Sequence, residues 1–362
     1  MSRPPSLKPP GLHPLLTLLC LLLCSPLAHS QPTPKIGFLL PPDTPHLESL
    51  ELAATLAATL SVPNGAPPAT LVIRGKTGQW GDDGTEAARL AIDDEVNSLI
   101  TPPDGSASHL VLQVAGRTGL PTLSLCPDTS VVGAGIPWHL QITPDTQHQA
   151  LTILQYIRNH HPPPWIAIVP EGRAGREISN DLAHAAATIH HPTPDILSFP
   201  TNSASRNQLA HNALLSSPTT ILVWLNPQPA ATVTTLLRKA GFKGTLAGPL
   251  HLQSPRFLTA AGPHAESFLT PAWTPPQSVT LNAFSHQYKS KLGLPPDPSA
   301  LLTADAVLLL RNTLPPNPAP GPLQLPTNLT GLSGPLTFDT SGRRLLPLHL
   351  LRLKNGTWTP IQ

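Results

Sequence analysis

Short apolar runs alternate with amphipathic segments along most of the chain. Residues 35–40 and 69–73 are extended apolar runs, and residues 46–60 between them carry apolar side chains at helical spacing. Further strands are predicted at residues 121–125, 165–169, 195–199, 220–225 and 245–247, and further helices at residues 84–100, 109–115, 146–159, 177–189, 206–215, 229–240 and 299–313. This alternation is typical of a sheet of parallel strands with helices on its faces.

The C-terminal quarter has a different pattern. A proline-rich connector at residues 315–326 is followed by two extended apolar segments, 334–338 and 346–353, which flank Asp339-Thr340-Ser341-Gly342. An aspartate and a glycine at this spacing favour a hairpin turn, because Gly342 tolerates a positive φ. Asn355-Gly356 predicts a second turn of the same kind.

The first thirty residues resemble a targeting segment. Arg3 and Lys8 precede an apolar run at residues 15–23, and Ala28-His29-Ser30 places small residues where signal peptidase cleaves. We expect a signal peptide over residues 1–30, a mature start at Gln31, and a periplasmic or secreted protein. Acylation of Cys24 in a lipoprotein is the less favoured alternative.

Composition limits the partners and the chemistry. A net charge of +2 with 12% charged residues favours neither nucleic acid nor an anionic membrane. Cys126 is the one cysteine after the predicted leader, so no internal disulfide is expected. The sixteen histidines lack the spacing of a metal site, and we expect neither a metal nor a cofactor. Without a nucleophile–base motif, an enzyme is not expected.

Several motifs, in order along the chain, resemble the type I periplasmic-binding-protein family, the leucine-binding-protein-like components of ABC importers for branched-chain amino acids and amides. They are Lys35-Ile36-Gly37-Phe38-Leu39-Leu40-Pro41, Gly119-Leu120-Pro121-Thr122-Leu123-Ser124, Ile142-Thr143-Pro144-Asp145-Thr146-Gln147, Ala240-Gly241-Phe242-Lys243-Gly244, Ala304-Asp305-Ala306-Val307, and the stretch from Leu332 to Gly342. The last stretch carries the most specific of these matches.

The resemblance implies an α/β fold of two Rossmann-like, doubly wound lobes joined by three crossovers. The first lobe is expected to take residues 31–144 and 247–310, and the second 145–246 and 311–362. Ligands of such sheets bind beyond the carboxyl ends of the strands. The expected function is to bind a small polar solute, such as an amino acid, an amide or a short organic acid, between lobes that close on a hinge.

The implied partner is the membrane permease of an ABC importer, and the protein is expected to act as a monomer. A ligand-sensing module of a signalling system with the same fold is the alternative. No nucleic acid is expected as a partner.

Candidate ligand contacts follow the predicted strands. In the family, the loop that matches Asp104-Gly105-Ser106-Ala107-Ser108 holds a ligand carboxylate through hydroxyl and amide groups, so Ser106 and Ser108 are candidates; helix capping is the alternative. Ser124, Asp128 and Thr129 are candidates after the next strand, and an ordinary Pro-Asp turn is the alternative. We expect Cys126 to be a small buried apolar residue rather than a nucleophile.

The second lobe contributes the loop that begins at Glu171. Ala174 stands where the family has a tyrosine that clamps the ligand, and Ala304 replaces a second tyrosine. Glu171 and Arg176 are candidates to bind a charged group of the ligand in place of the tyrosines. The alternative is that they lie at a solvated helix start. Trp80, in a glycine-flanked loop, either stacks on the ligand or packs on the lobe surface.

Overall fold

The computed structural model describes residues 33–62, 66–76, 82–200, 202–315, 320–326 and 328–361. The predicted leader and Trp80 lie outside the described residues. Among the residues that the structure describes, no helix combines the length and the apolar character needed to cross a bilayer.

The first sheet has five parallel strands in the order β2-β1-β3-β4-β5. The strands are Lys35–Leu39 (β1), Thr70–Arg74 (β2), Ser98–Thr101 (β3), Thr122–Ser124 (β4) and His139–Gln141 (β5). The helices that connect them are Leu47–Thr59 (α1), Asp83–Ile92 (α2), Gly105–Thr118 (α3) and Thr129–Val132 (α4). The inner strands are buried on both faces, and this explains why β1 is a continuous apolar run.

The second sheet has seven strands in the order β14-β13-β10-β9-β8-β6-β7. The strands are Trp165–Pro170 (β6), Asp195–Phe199 (β7), Thr220–Val223 (β8), Thr245–Ala247 (β9), Leu269–Ala272 (β10), His349–Lys354 (β13) and Thr357–Pro360 (β14). The helices of this part are Thr146–His160 (α5), Gly172–Thr188 (α6), Ser203–Leu214 (α7), Pro227–Lys239 (α8) and Pro255–Ala261 (α9). β6 to β10 are parallel to one another, whereas β13 and β14 run antiparallel.

The remaining helices return to the first sheet. They are Val279–Leu292 (α10) and Pro298–Thr313 (α11), and both pack against α1. Thr330–Gly331 (β11) and Gly334–Pro335 (β12) then form a two-stranded ladder. Short 3₁₀ helices lie at Leu250–Gln253 and Gly262–Ala265.

The predicted fold class is confirmed, but the chain changes sheets at other places than those expected. The chain was expected to return to the first lobe at residue 247. Instead β9 and β10 both belong to the second sheet, because β10 pairs with β9 on one side and with β13 on the other. Residues 247–272 therefore belong with the second sheet, and the return follows Ala272.

The helix predicted at residues 84–100 was too long. α2 ends at Ile92, the chain turns at Glu95 with φ 50°, and Ser98–Thr101 forms the central strand β3. Val96 and Leu99 fall at helical spacing from α2 only by coincidence. Their burial comes from the sheet, where Leu99 pairs with Thr122 of β4.

Both predicted turns are confirmed. Gly342 has φ 86°, and Phe338 and Arg344 form an antiparallel bridge on either side of its turn. Asn355 and Gly356 have φ values of 51° and 74°, which is the left-handed pair that a two-residue hairpin requires. This second turn joins β13 to β14.

Candidate functional site

A cleft of about 350 Å³ lies between the carboxyl ends of the strands of the two sheets. The first sheet lines it with the segments that follow β1, β3, β4 and β5. The second sheet lines it with the segments that follow β6, β8 and β9, and α11 closes one side with Ser299, Leu302 and Thr303. This is the position in which doubly wound sheets present ligand sites.

Most of the cleft surface is apolar. Leu50, Leu125 and Leu302 line it beside the first sheet's core, together with Leu250. Ile178, Phe199, Trp224 and Leu225 line it beside the second sheet. A concave, mainly apolar site with a few polar groups is the usual form of a small-molecule site. The polar groups therefore decide what the cleft recognises.

The carboxylates give the cleft lining an acidic character. Its lining includes Asp43, Asp104, Asp128, Glu177 and Asp181, and no lysine or arginine of the described part of the chain is among the lining residues. The guanidinium of Arg173 contacts one of these carboxylates, and its Nη2 lies 3.7 Å from Asp128 Oδ2. Arg173 also lies 3.9 Å from Glu177 and is part-exposed at the rim.

Asp181 is the most deeply buried carboxylate in this lining. It lies on α6, and its side chain accepts a hydrogen bond from Thr129 Oγ1, 2.7 Å from Oδ1. Asp181 is 3% exposed, and its Oδ2 has no hydrogen-bond partner. Burial raises its pKa to about 7, the Thr129 hydrogen bond opposes this, and the neighbouring charges of Asp145, Asp128 and Glu177 add to the rise.

Two further buried polar atoms of the lining lack a partner. They are Thr44 Oγ1 and His46 Nε2, and both residues are 6% exposed. His46 has a left-handed backbone with φ 61°, and its Nδ1 lies 3.7 Å from Asp297 Oδ2. Burial lowers the pKa of His46 to about 4, so it is neutral near pH 7. Thr44 and His46 are therefore neutral polar residues in the first-lobe part of the lining.

Of the candidate residues, Asp128 lies in the lining. It also caps α4, since its Oδ1 accepts from the backbone N–H of Ser130 at 2.9 Å. Thr129 is placed beside it and reaches across the cleft to Asp181. Ser106 is exposed at the rim, 3.5 Å from Arg173.

Ser108 and Ser124 lie beneath the cleft and are fully buried. Both hydroxyls contact Thr101 Oγ1 at 2.9 Å, and Ser124 also accepts from the backbone N–H of Cys126 at 3.1 Å. These bonds hold the loops after β3 and β4 in place. The capping role considered for the serines belongs to Asp104, whose carboxylate accepts from the N–H of Ala107 at 2.8 Å.

Glu171 and Arg176 are exposed and lie outside the cleft lining. Glu171 precedes the first residue of α6, and Arg176 lines a shallow depression with Ser179, Asn180 and Ile196. Ala174, Glu177, Ile178 and Asp181 face the cleft instead, because they recur every three or four residues along α6. That spacing was readable in the sequence and would have led to Asp181.

The two parallel-stranded halves and the cleft between them define a two-lobed ligand-binding protein. A model described as periplasmic binding protein matches residues 67–315, and the chain belongs to this family. Its members are periplasmic or extracytoplasmic solute-binding proteins and not enzymes. Among the curated proteins compared, none matches the chain.

Solved structures share the fold. A leucine-binding protein from Thermotoga maritima has a TM-score of 0.75 at 16% identity, over 91% of this chain and 98% of that one. A branched-chain amino acid transporter substrate-binding protein from Streptococcus pneumoniae, in complex with isoleucine, has a TM-score of 0.76 at 15% identity, over 90% and 97%. An ABC transporter solute-binding protein from R. palustris, in complex with benzoate, has a TM-score of 0.74 at 15% identity, over 91% and 95%.

Proposed function

We propose that this protein is the extracytoplasmic solute-binding component of an ABC importer and binds a small organic solute in the cleft between its lobes. The observation that carries the proposal is the cleft itself, which is lined by residues beyond the strand ends of both sheets. Amino acids, amides and short organic acids are the classes that the family resemblance suggests. In this role the protein is exported by its leader, acts as a monomer, and delivers the solute to a membrane permease.

The contacts across the cleft support closure on a hinge. Thr129 follows β4 of the first sheet and donates to Asp181 on α6 of the second part, and Arg173 on the same helix reaches Asp128 and Ser130. These contacts are hydrogen bonds and an ion pair between polar side chains. Hinge closure around a ligand is common in two-lobed proteins of this kind.

The test is a thermal-unfolding screen of residues 31–362 against amino acids, amides, organic acids, amines and sugars. A ligand at 100 times its Kd stabilises the folded state by ~2.7 kcal/mol, which gives a measurable rise in Tm. Hits are then followed by small-angle scattering, in which closure reduces the radius of gyration.

A matched pair of variants links binding to the cleft. Ala174→Trp places a large side chain in the lining, whereas Ala187→Trp places the same side chain on an exposed position of the same helix, outside the lining. We expect the first to abolish the Tm rise and the second to preserve it. A screen without any hit, or a hit that Ala174→Trp leaves intact, would contradict the proposal.

Export has its own test. Expression of the full chain in a host with a general secretion pathway should yield extracytoplasmic protein whose first residue is Gln31. N-terminal sequencing or intact mass measures this directly. A lipid-modified N-terminus at Cys24 would instead support the lipoprotein alternative.

A further inference from the structure

We infer that the cleft selects a small organic cation, an amine with an apolar body, whose ammonium group is held by the carboxylate of Asp181. This inference rests on the proposed solute-binding function and specifies the charge of the solute. Three features carry it: an unpartnered buried carboxylate oxygen, acidic side chains in the lining, and aspartates that cap several of the helix starts around the cleft.

The first feature is the state of Asp181. One oxygen accepts from Thr129, and the other, Oδ2, is buried in the cleft lining without a partner. A buried polar atom without a partner carries a free-energy penalty, which a ligand donor relieves. Above its pKa of about 7 the Asp181 carboxylate is ionised and offers only acceptors. The complementary ligand group is then a donor, and a positive charge strengthens the bond.

The second feature is the sign of the charge around the cleft. Asp43, Asp104, Asp128 and Glu177 line it together with Asp181. Arg173 offsets part of this charge from the rim, but it is held there by Asp128, Glu177 and Ser130. A cleft lined by one sign of charge attracts counter-ions and repels ions of its own sign, so it disfavours an anionic solute.

The third feature concerns the helices whose N-termini border the cleft. An anion binds a helix start through free N–H groups. Here Asp104, Asp145 and Asp297 accept N–H bonds at the starts of α3, α5 and α11. α8 begins Pro227-Gln228-Pro229, so two of its first three residues have no N–H. A ligand carboxylate at these four helix starts therefore meets an aspartate or a missing N–H group. The starts of α1 and α6 have no side-chain cap, and an amine does not depend on them.

The apolar part of the lining indicates that the rest of the solute is apolar. Trp224 is 4% exposed and lines the cleft with Ile178, which precedes Asp181 on the same face of α6. A solute with a compact apolar body beside its ammonium group buries that apolar surface against the lining, away from water.

The test uses probes with one apolar body and different head groups. Benzylamine, benzamide, benzoate and phenylalanine are compared by calorimetry with residues 31–362, and 3-methylbutylamine, 3-methylbutanamide, 3-methylbutanoate and leucine form a second series. We expect the amine of at least one series to bind about tenfold or more tightly than its neutral and anionic counterparts, as a charge-assisted hydrogen bond provides.

Two variants connect the preference to the carboxylate. Asp181→Asn retains an oxygen for the Thr129 hydrogen bond and removes the charge, and we expect it to weaken amine binding roughly 10- to 100-fold while leaving the amide unchanged. Asp195→Asn, an exposed aspartate at the start of β7, is the control and should leave both unchanged. Circular dichroism checks that each variant is folded.

The outcomes separate the two proposals. If an anion, a zwitterion or an amide binds as tightly as the amine, or if Asp181→Asn leaves amine binding intact, the cation inference is overturned and the solute-binding function stands. If no probe and no member of the wider screen binds, the proposed function fails and the inference falls with it.

Discussion

The carboxylate of Asp305 and the guanidinium of Arg344 form an ion pair in which neither side chain is exposed, with Oδ2 and Nη1 3.6 Å apart. Asp305 lies in α11 against the first sheet, and Arg344 lies in the segment that leads into β13 of the second sheet. Asp305 also accepts from the N–H groups of Leu332 and Ser333. The pair therefore joins the helix to the last crossover.

We predict that Asp305→Ala lowers the free energy of unfolding by about 3–5 kcal/mol, since it leaves Arg344 buried without a counter-charge. Urea denaturation of variant and parent measures this. Glu48→Ala is the control, because its pair with Arg256 is 3.9 Å long and both side chains are more than half exposed. The control should change stability by less than about 0.5 kcal/mol. Equal effects of the two substitutions would show that the buried pair has no special role.

This pair also explains why part of the fold was predictable from the sequence. Asp305 and the Leu332–Gly342 stretch were two of the motifs that carried the family resemblance, and the structure shows that they contact each other. A Cβ at Gly331 would overlap the Asp305 carboxylate, so this approach requires glycine. Asp305 and the Leu332–Gly342 stretch lie far apart in the chain, but their contacts in the fold restrict which residue types can stand there.

The candidate site was less predictable, for a physical reason. Asp128 was expected in the cleft because the end of a parallel strand fixes where the next residues lie. Whether Glu171, Arg176 or Asp181 faces the cleft depends on the rotation of α6 about its axis. That rotation is set by packing on β6, and a Cβ at Gly175 would overlap the carbonyl oxygen of Pro170 there.

We predict that Gly175→Ala displaces α6 from β6 and costs about 1–3 kcal/mol, the usual range for forcing an extra methyl group into a packed site. Because Glu177 and Asp181 lie on the same helix, ligand binding should weaken as well. Chemical denaturation and the ligand-induced rise in Tm measure the two effects.

Gly116→Ala is the control for this substitution. Gly116 lies within α3, where an added Cβ meets Ile136 at an ordinary contact distance of 3.5 Å. This control should be neutral or stabilising by up to about 1 kcal/mol, because alanine is the better helix former. A Gly175→Ala protein as stable as its parent would mean that α6 is not fixed by its approach to Pro170.

The thiol of Cys126 should be unreactive in the folded protein. It is 1% exposed, and burial, with Asp128 nearby, raises its pKa above the ordinary range. Since the thiolate is the reactive form, labelling of residues 31–362 by a thiol reagent at pH 8 should be slow without denaturant and complete in urea. Complete labelling within minutes under native conditions would contradict this burial.

The last prediction concerns the pH dependence of stability at Asp181. Its pKa is about 7 in the folded protein against an ordinary value of 3.8, so between these values the folded state holds a proton that the unfolded state releases. Stability from this group is therefore present below about pH 4 and is lost as the pH rises to about 7. Asp128 beyond β4, Asp145 at the start of α5 and Glu177 on α6 are the charges that face it.

Asp181→Asn removes this titration and leaves the facing acids in place. We therefore expect the variant to be more stable than the parent at pH 8 by about 1–3 kcal/mol, and nearly equal to it at pH 4, because a pKa unit corresponds to ~1.4 kcal/mol. Denaturation midpoints at the two pH values measure the difference, and Asp195→Asn should show no such dependence. A difference of equal size at pH 4 and pH 8 would mean that the carboxylate is not destabilised by its ionisation, and the variant's effect would then have to come from its shape alone.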